Sequence, residues 1–129
     1  YDESRKNIPS DVTAGIIRDI TGATDATLKA ADIVDRCVIP MVNEALAILE
    51  ENKTQRPSDI DVVWINGYGW PLDKGGVMYY ADTIGAEKVL AVMTDLAASD
   101  DSIRVSPLLE ELVRTGARFV DIDTGGLKV

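Results

Sequence analysis

The sequence contains no histidine and only one cysteine, Cys37, among its 129 residues. Without histidine the chain cannot form a Ser/His or Cys/His pair, and it has no imidazole general base near neutral pH. A single cysteine cannot form an intramolecular disulfide, and Cys37 has no cysteine or histidine companion for a metal site. No catalytic, cofactor-binding or metal-binding residue is therefore predicted, and Cys37 is expected to be a core thiol on an apolar helix face.

Long apolar runs and positive charge are also scarce. No apolar segment approaches the ~18 residues that a membrane-spanning helix needs, and the polar start at Tyr1 is unlike a signal peptide. The net charge of -9 would repel the phosphates of nucleic acids and the headgroups of anionic lipids. These absences predict a cytoplasmic protein that binds neither nucleic acid nor membranes.

The patterns that are present indicate helices. Apolar residues recur at steps of three and four, between capping residues at the start and glycines at the end. The first predicted helix is capped by Ser10 or Asp11 and ends at Gly22, and the second covers 27–52. A third begins at a Ser58 cap. The remaining predicted helices cover 77–83, 86–98 and, after a Ser106 cap, 107–115. The sequence therefore predicts one all-α domain of five to six helices with irregular, non-bundle packing.

Domain boundaries follow from the same patterns. Residues 1–8 are charged and aperiodic, which is typical of a linker or frayed end between domains. Residues 9–119 are predicted to form the helical domain, and residues 120–129 a tail that has a brief apolar start and ends in disorder.

In two segments, some residues favour a helix and others oppose it. Pro40 lies inside the second predicted helix, where it removes a backbone hydrogen bond and should kink the helix or split it. The β-branched run from Val62 to Ile65 favours a strand, whereas the preceding cap and the apolar spacing favour a helix. A short helix is the prediction for Val62–Ile65, followed by a loop over 66–71.

Three segments partly match known ligand-binding motifs, but each lacks a part that the motif requires. Gly67-Tyr68-Gly69, with Glu87 twenty residues later, is similar to a dinucleotide-binding fingerprint, but Leu72 stands where its third glycine belongs. Residues 121–126 begin like a calcium loop but lack its closing glutamate. Lys74 beside two glycines lacks the spacing of a phosphate loop. Adjacent acidic pairs, such as Glu50 with Glu51, diverge on a helix and are interpreted as surface charge.

Four separated motifs together resemble the C-terminal domain of 3-hydroxyacyl-CoA dehydrogenases. They are 34–45 (VDRCVIPMVNEA), 57–61 (PSDID), 67–76 with its Gly-Tyr-Gly-Trp-Pro and Gly-Gly elements, and 82–85 (DTIG). Their order and spacing match over roughly residues 30–119. The chain looks like the second of two helical copies in the multifunctional fatty-acid-oxidation members, because Asp35 replaces an Asn typical of the first copy.

The resemblance implies a function for the parent enzyme rather than for this chain. The parent would oxidise the 3-hydroxyl of an acyl-CoA with NAD, using a His and a Glu of a Rossmann domain that this chain does not contain. This domain would pack against the preceding helical and Rossmann domains and contribute to a homo-oligomer. A stand-alone acidic interaction module is the alternative; an exposed apolar face would favour packing.

The residues singled out in these motifs are expected to be structural. They are Pro40, Asn43, Glu44, Gly67, Gly69, Pro71, Gly75, Gly76, Asp82 and Gly85. The glycines from Gly67 to Gly76 should allow the backbone to turn so that Tyr68 and Trp70 point inward and Tyr79 and Tyr80 reach the core. Asp82 should accept hydrogen bonds from backbone amides and hold this loop.

Overall fold

A computed structural model of the chain describes residues 1–22 and 28–122, and these residues form six α-helices and two short 3₁₀ helices, without a strand. The α-helices are α1 (Asp11–Thr21), α2 (Ala30–Glu50), α3 (Pro57–Gly67), α4 (Val77–Ile84), α5 (Ala86–Ser99) and α6 (Pro107–Thr115); the 3₁₀ helices are Leu72–Lys74 and Phe119–Ile122. The all-α prediction is confirmed, and the run from Val62 to Ile65 is helical within α3.

Helix ends follow the capping chemistry where a polar side chain and a glycine flank the apolar run. Ser10 caps α1 and Ser106 caps α6, each accepting a hydrogen bond from a backbone amide three residues later. Gly22 and Gly116 end these helices in the left-handed conformation, with φ of 64° and 67°, which costs glycine little. Both helices therefore have the ends that the sequence predicts.

One predicted helix start needs correction, and a second falls outside the described residues. α3 is capped by Arg56 rather than Ser58, because Pro57 occupies the first helical position, where its fixed φ and missing N–H fit. The Arg56 guanidinium hydrogen-bonds Asp59 and holds the pKa of that carboxyl below its usual range. α2 begins at Ala30, and the predicted start at Thr27 lies outside the described residues.

Pro40 does not split α2, which runs through it to Glu50. Proline removes one backbone hydrogen bond, but the residues that follow pack into the core and maintain the helix. Ile39, Val42 and Leu46 are each at most 1% exposed. Packing on this face therefore outweighs the local cost of the proline.

One hydrophobic core lies between α2 and the later helices. Its members come from every α-helix after α1, and from the second 3₁₀ helix. The completely buried side chains include Val42 and Leu46 of α2, Val77 of α4, Val89 of α5, and Leu109 and Leu112 of α6. α2 contacts α3, α4, α5 and α6 and is the central helix of this arrangement.

The core begins abruptly at Ile39. Among the described residues before it, none is buried. The four large apolar side chains of α1 are exposed, and Cys37 on α2 is exposed as well. The prediction of a core thiol is therefore wrong: the apolar spacing around Cys37 is real, but that side of α2 does not face the core.

The helical structure extends past the predicted end of the domain. Val120, Asp121 and Ile122, assigned to the start of the tail, belong to the second 3₁₀ helix, and Phe119 beside them is 1% exposed. The buried aromatic ring anchors this segment to the core, so the predicted boundary at residue 119 falls inside an ordered element. Most of the rejected calcium motif, residues 123–126, lies outside the described residues.

Candidate functional site

The loop that was predicted to begin at Asn66 begins two residues later, at Tyr68. Asn66 and Gly67 are the last residues of α3, and Tyr68 caps it. Tyr68 does not turn inward: it is 72% exposed, and Tyr79 is 56% exposed. Only Trp70 and Tyr80 are partly buried. The alternation of glycine and aromatic residues therefore produces one inward side chain in this loop instead of two.

Aromatic rings connect the end of α3 to α4. The ring centroids of Trp64 and Trp70 are 5.8 Å apart, and those of Trp70 and Tyr80 are 5.9 Å apart, both edge to face. The exposed Tyr68 ring lies 4.9 Å from Trp64. The Trp70 backbone N–H donates to the Trp64 carbonyl at 3.2 Å, and Gly69 before it has a φ of 69°. Gly69 thus permits the turn that places Trp70 between two helices.

Gly76 marks the closest approach between α3 and α4. An added Cβ at Gly76 would overlap the Asp61 side chain, and the φ of Gly76 is 93°. Asp61 in turn accepts hydrogen bonds from the backbone N–H groups of Met78 at 2.7 Å and Tyr79 at 3.1 Å. These amides belong to the first turn of α4, where a carboxylate is favourable. Asp61 therefore caps a helix remote in sequence, and only glycine fits beside it.

Asp82 near the end of α4 is also a backbone-amide acceptor. It accepts from Phe119 N at 2.8 Å and from Val120 N at 3.1 Å, and its side chain is 6% exposed. The Arg118 guanidinium lies 3.5 Å from Oδ2 of Asp82, the oxygen that accepts from Val120 N. The expectation of amide partners agrees with this geometry, but the segment held is the C-terminal 3₁₀ helix. Asp61 holds the end of the Gly67–Gly76 loop instead.

A third carboxylate and an amide connect α2 to the start of α6. Asn43 donates to the Arg104 carbonyl and accepts from the Ser106 N–H, both at 2.8 Å. Glu50 accepts from the Leu108 N–H at 2.8 Å and from the Ser106 hydroxyl at 2.5 Å. The interpretation of Glu50 as surface charge is therefore wrong, because Glu50 accepts hydrogen bonds from one amide and one hydroxyl at the start of α6.

The remaining motif residues surround these contacts. Pro40 and the exposed Glu44 line an open pocket of about 670 Å³ beside Asn43 and Arg104. Pro71 is exposed before the first 3₁₀ helix, and Gly85, with a φ of 86°, both ends α4 and precedes α5. Gly75 packs against the Tyr79 ring. The structure thus distributes the sequence motifs over several helix junctions and does not bring them together at one site.

Asp61 and Glu50 are the residues that sequence reasoning missed. Each caps a helix that begins 16 or more residues later in the chain, so neither forms the short-range capping pattern that a sequence reveals. The one available signal is that Asp61 falls within the PSDID motif. Asp35, singled out by the resemblance, pairs with Lys88 of α5 at 3.1 Å.

The geometry around Gly67 does not fit a dinucleotide. A dinucleotide fingerprint places its glycines before a helix, so that the amide end of the helix meets the pyrophosphate. Here Gly67 and Gly69 stand at the carbonyl end of α3, which disfavours an anion. Within residues 1–22 and 28–122, no three His, Cys, Asp or Glu side chains are grouped as metal ligands would be.

Exposed large apolar side chains are numerous in the segment from α3 to the first turn of α4. Five of them, which we call the α3–α4 apolar surface, are Val62, Val63, Tyr68, Leu72 and Tyr79, each at least 56% exposed. α5 and α6 expose none. In the described part of the chain, no helix is long and apolar enough to cross a membrane.

Comparison with known proteins identifies relatives. Residues 33–123 match the family model described as 3-hydroxyacyl-CoA dehydrogenase, C-terminal domain. The chain is 32% identical over 120 residues to the fatty acid oxidation complex subunit alpha of Idiomarina loihiensis, covering 92% of this chain and 17% of that protein. The corresponding subunit of Shewanella amazonensis is 36% identical over 102 residues, which are 78% of this chain and 14% of the relative.

A third relative is the human peroxisomal bifunctional enzyme, 47% identical over 64 residues, which are 50% of this chain and 9% of that protein. The chain therefore spans less than a fifth of the length of these curated relatives.

Proposed function

Because the chain belongs to the family of 3-hydroxyacyl-CoA dehydrogenase C-terminal domains, we propose that it supports a multifunctional fatty-acid-oxidation enzyme by packing against the domains that precede it. The parent enzyme would carry out NAD-dependent oxidation of 3-hydroxyacyl-CoA, and this domain would be its second helical copy. The bifunctional and fatty-acid-oxidation names of the relatives support this assignment. The domain would contribute no catalytic residue.

The observation that carries the packing role is the uneven distribution of exposed apolar side chains. The α3–α4 apolar surface exposes five large side chains, whereas α5 and α6 expose none. Monomeric proteins rarely leave such clusters uncovered unless another surface binds them. The same feature weighs against the stand-alone acidic module, which would present charge without an apolar face.

The experiment that tests the packing role uses the full parent enzyme. Val63→Asp places a charge within the α3–α4 apolar surface, and Ala91→Asp places the same charge on an exposed position of α5. Burying an unpaired carboxylate in an interface is costly. Val63→Asp should therefore lower dehydrogenase activity and the thermal midpoint of the parent, while Ala91→Asp leaves both near wild type. Equal behaviour of the two variants would contradict the assignment.

Activity of the isolated chain provides a second test. We expect neither saturable NAD binding by calorimetry nor hydride transfer from 3-hydroxyacyl-CoA, because the chain has no histidine and the Gly67 loop does not fit a dinucleotide. Micromolar NAD binding would contradict this expectation.

Self-association and location are finer proposals. The isolated chain should form a dimer through the α3–α4 apolar surface, because that surface would lack its usual neighbour. Sedimentation of the Val63→Asp variant as a monomer, beside a dimeric wild type, would support this. A monomeric wild type at high concentration would oppose it. The cytoplasmic location stays a prediction.

A further inference from the structure

Two apolar stripes near the N-terminus are exposed in the structure, separately from the α3–α4 apolar surface. The α1 stripe consists of Val12, Ile16, Ile17 and Ile20, each at least 53% exposed. The second, which we call the α2 outer stripe, consists of Ile33, Val34 and Cys37 at the beginning of α2. None of the residues of α1 is buried. Each stripe thus lacks a covering surface in the arrangement described.

The α2 outer stripe is distinct from the core face of α2. With 3.6 residues per turn, the outer stripe points roughly 130° around the helix axis from the buried side chains of α2. Those buried side chains, such as Val42, Ala45 and Leu49, face the later helices. A partner of the outer stripe must therefore approach from the side opposite the core.

The α1 stripe matches the α2 outer stripe in length and in surroundings. α1 has 11 residues, which span about 16 Å, and the exposed beginning of α2 up to Ile39 spans about 13 Å. Helical periodicity places Asp11 and Arg18 on the side of α1 opposite its apolar stripe. Contact through the stripe would therefore leave both charges in water.

The short connection between α1 and α2 favours contact of the α1 stripe with the α2 outer stripe of the same chain. α1 ends at Thr21 and α2 begins at Ala30, so eight residues join them. Connections of about 2–8 residues are usual between antiparallel helices, and a short tether gives a high effective concentration of one stripe at the other. An intramolecular contact is thus favoured over contact with a separate molecule.

We propose that α1 folds back onto the α2 outer stripe of the same chain and forms an antiparallel helical hairpin. In this closed arrangement Ile16 and Ile20 cover Ile33, Val34 and Cys37, and α1 packs against the beginning of α2. The α3–α4 apolar surface remains open. The proposal does not depend on the proposed function of the parent enzyme, because all its residues belong to this chain.

Cys37 is the only cysteine and therefore reports directly on the closed arrangement. Its rate of reaction with a small aromatic disulfide reagent is measured in the native 129-residue chain and, as a fully exposed reference, in denaturant. We expect the native wild type to react at least ~10-fold more slowly than Ile16→Asp, which places a charge in the α1 stripe. Arg18→Asp, on the opposite side of α1, should react like wild type.

Each other outcome overturns the proposal. Equal rates in wild type and Ile16→Asp mean that Cys37 is not covered by α1. Protection that increases with protein concentration means that a second copy covers the stripe instead.

A second readout uses oxidation. Ile16→Cys should form an intramolecular disulfide with Cys37, because paired helices bring facing residues within disulfide range, whereas Arg18→Cys should not. Only intermolecular disulfides from Ile16→Cys would also contradict the hairpin.

Discussion

The arm, by which we mean the described residues before Ile39, and the body, residues Ile39 to Ile122, differ in burial but not in helical character. Both regions contain amphipathic helices with recognisable caps, at Ser10 in the first and Ser106 in the second. All fifteen buried hydrophobic residues belong to the second region. The comparison shows that apolar spacing specifies a helix with one apolar face, whereas burial depends on a partner that the spacing does not identify.

The largest expected effect is at Gly76 in the body. Gly76→Ala forces a Cβ into the Asp61 side chain at a φ of 93°, so the free energy of unfolding should fall by at least about 3 kcal/mol. Gly67→Ala is the matched control, because Gly67 is helical and has no atom within 4 Å of its Cβ position. The control should be neutral or stabilise by about 0.5 kcal/mol. Urea unfolding measures both, and similar values would refute the close α3–α4 packing.

The next prediction compares a leucine of the body with an isoleucine of the arm. Leu112 is completely buried and Ile16 is 53% exposed. Leu112→Ala should lower the free energy of unfolding by about 3 kcal/mol, because it leaves a cavity in the core. Ile16→Ala should lower it by only about 1 kcal/mol, because in the proposed hairpin Ile16 packs against the surface of α2 and its truncation leaves no enclosed cavity. If chemical denaturation gave equal losses, the division between arm and body would be wrong.

Asp82 is expected to have an intermediate effect. Asp82→Ala leaves the Phe119 and Val120 amides without their acceptor and should cost about 1–3 kcal/mol. Hydrogen exchange at these two amides should accelerate more than exchange in α5. The exposed Asp95 of α5 provides a control, since Asp95→Ala should change neither quantity. Unchanged exchange at Phe119 in Asp82→Ala would mean that Asp82 does not hold the second 3₁₀ helix.

The smallest effect is expected at Gly69. Its φ is 69°, but its Cβ position is open, so Gly69→Ala meets only the backbone cost of the left-handed region, about 1–2 kcal/mol. A thermal melt measures this shift, with Gly67→Ala again as the comparison. A midpoint identical to wild type would indicate that the loop can adopt another turn before Trp70.

Local sequence patterns predicted most helix ends but few long-range contacts. The caps at Ser10 and Ser106 and the glycine ends at Gly22 and Gly116 depend on neighbours within a few residues, so the sequence displays them. Cys37 and Tyr68 were misplaced because apolar or aromatic spacing does not say which side of an element faces the core.

The functional residues illustrate the same limit. Asp61 and Glu50 cap helices far along the chain, and no short-range capping pattern distinguishes them from surface acids. Asp82 was correctly expected to accept amide hydrogen bonds, because a carboxylate near a helix C-terminus needs donors. Its partners at Phe119 and Val120 could not be predicted, since that segment lacked a clear periodic pattern.

The packing role is tested by hydrogen exchange of this domain, measured within the parent enzyme and in the isolated chain at a concentration where sedimentation shows a monomer. Amides around the α3–α4 apolar surface, from Val62 to Tyr79, should exchange more slowly in the parent. Amides of α5 and α6, which expose no large apolar side chain, should exchange at the same rates in both. Identical exchange throughout, or new protection confined to α5 and α6, would mean that the domain does not pack through the α3–α4 apolar surface.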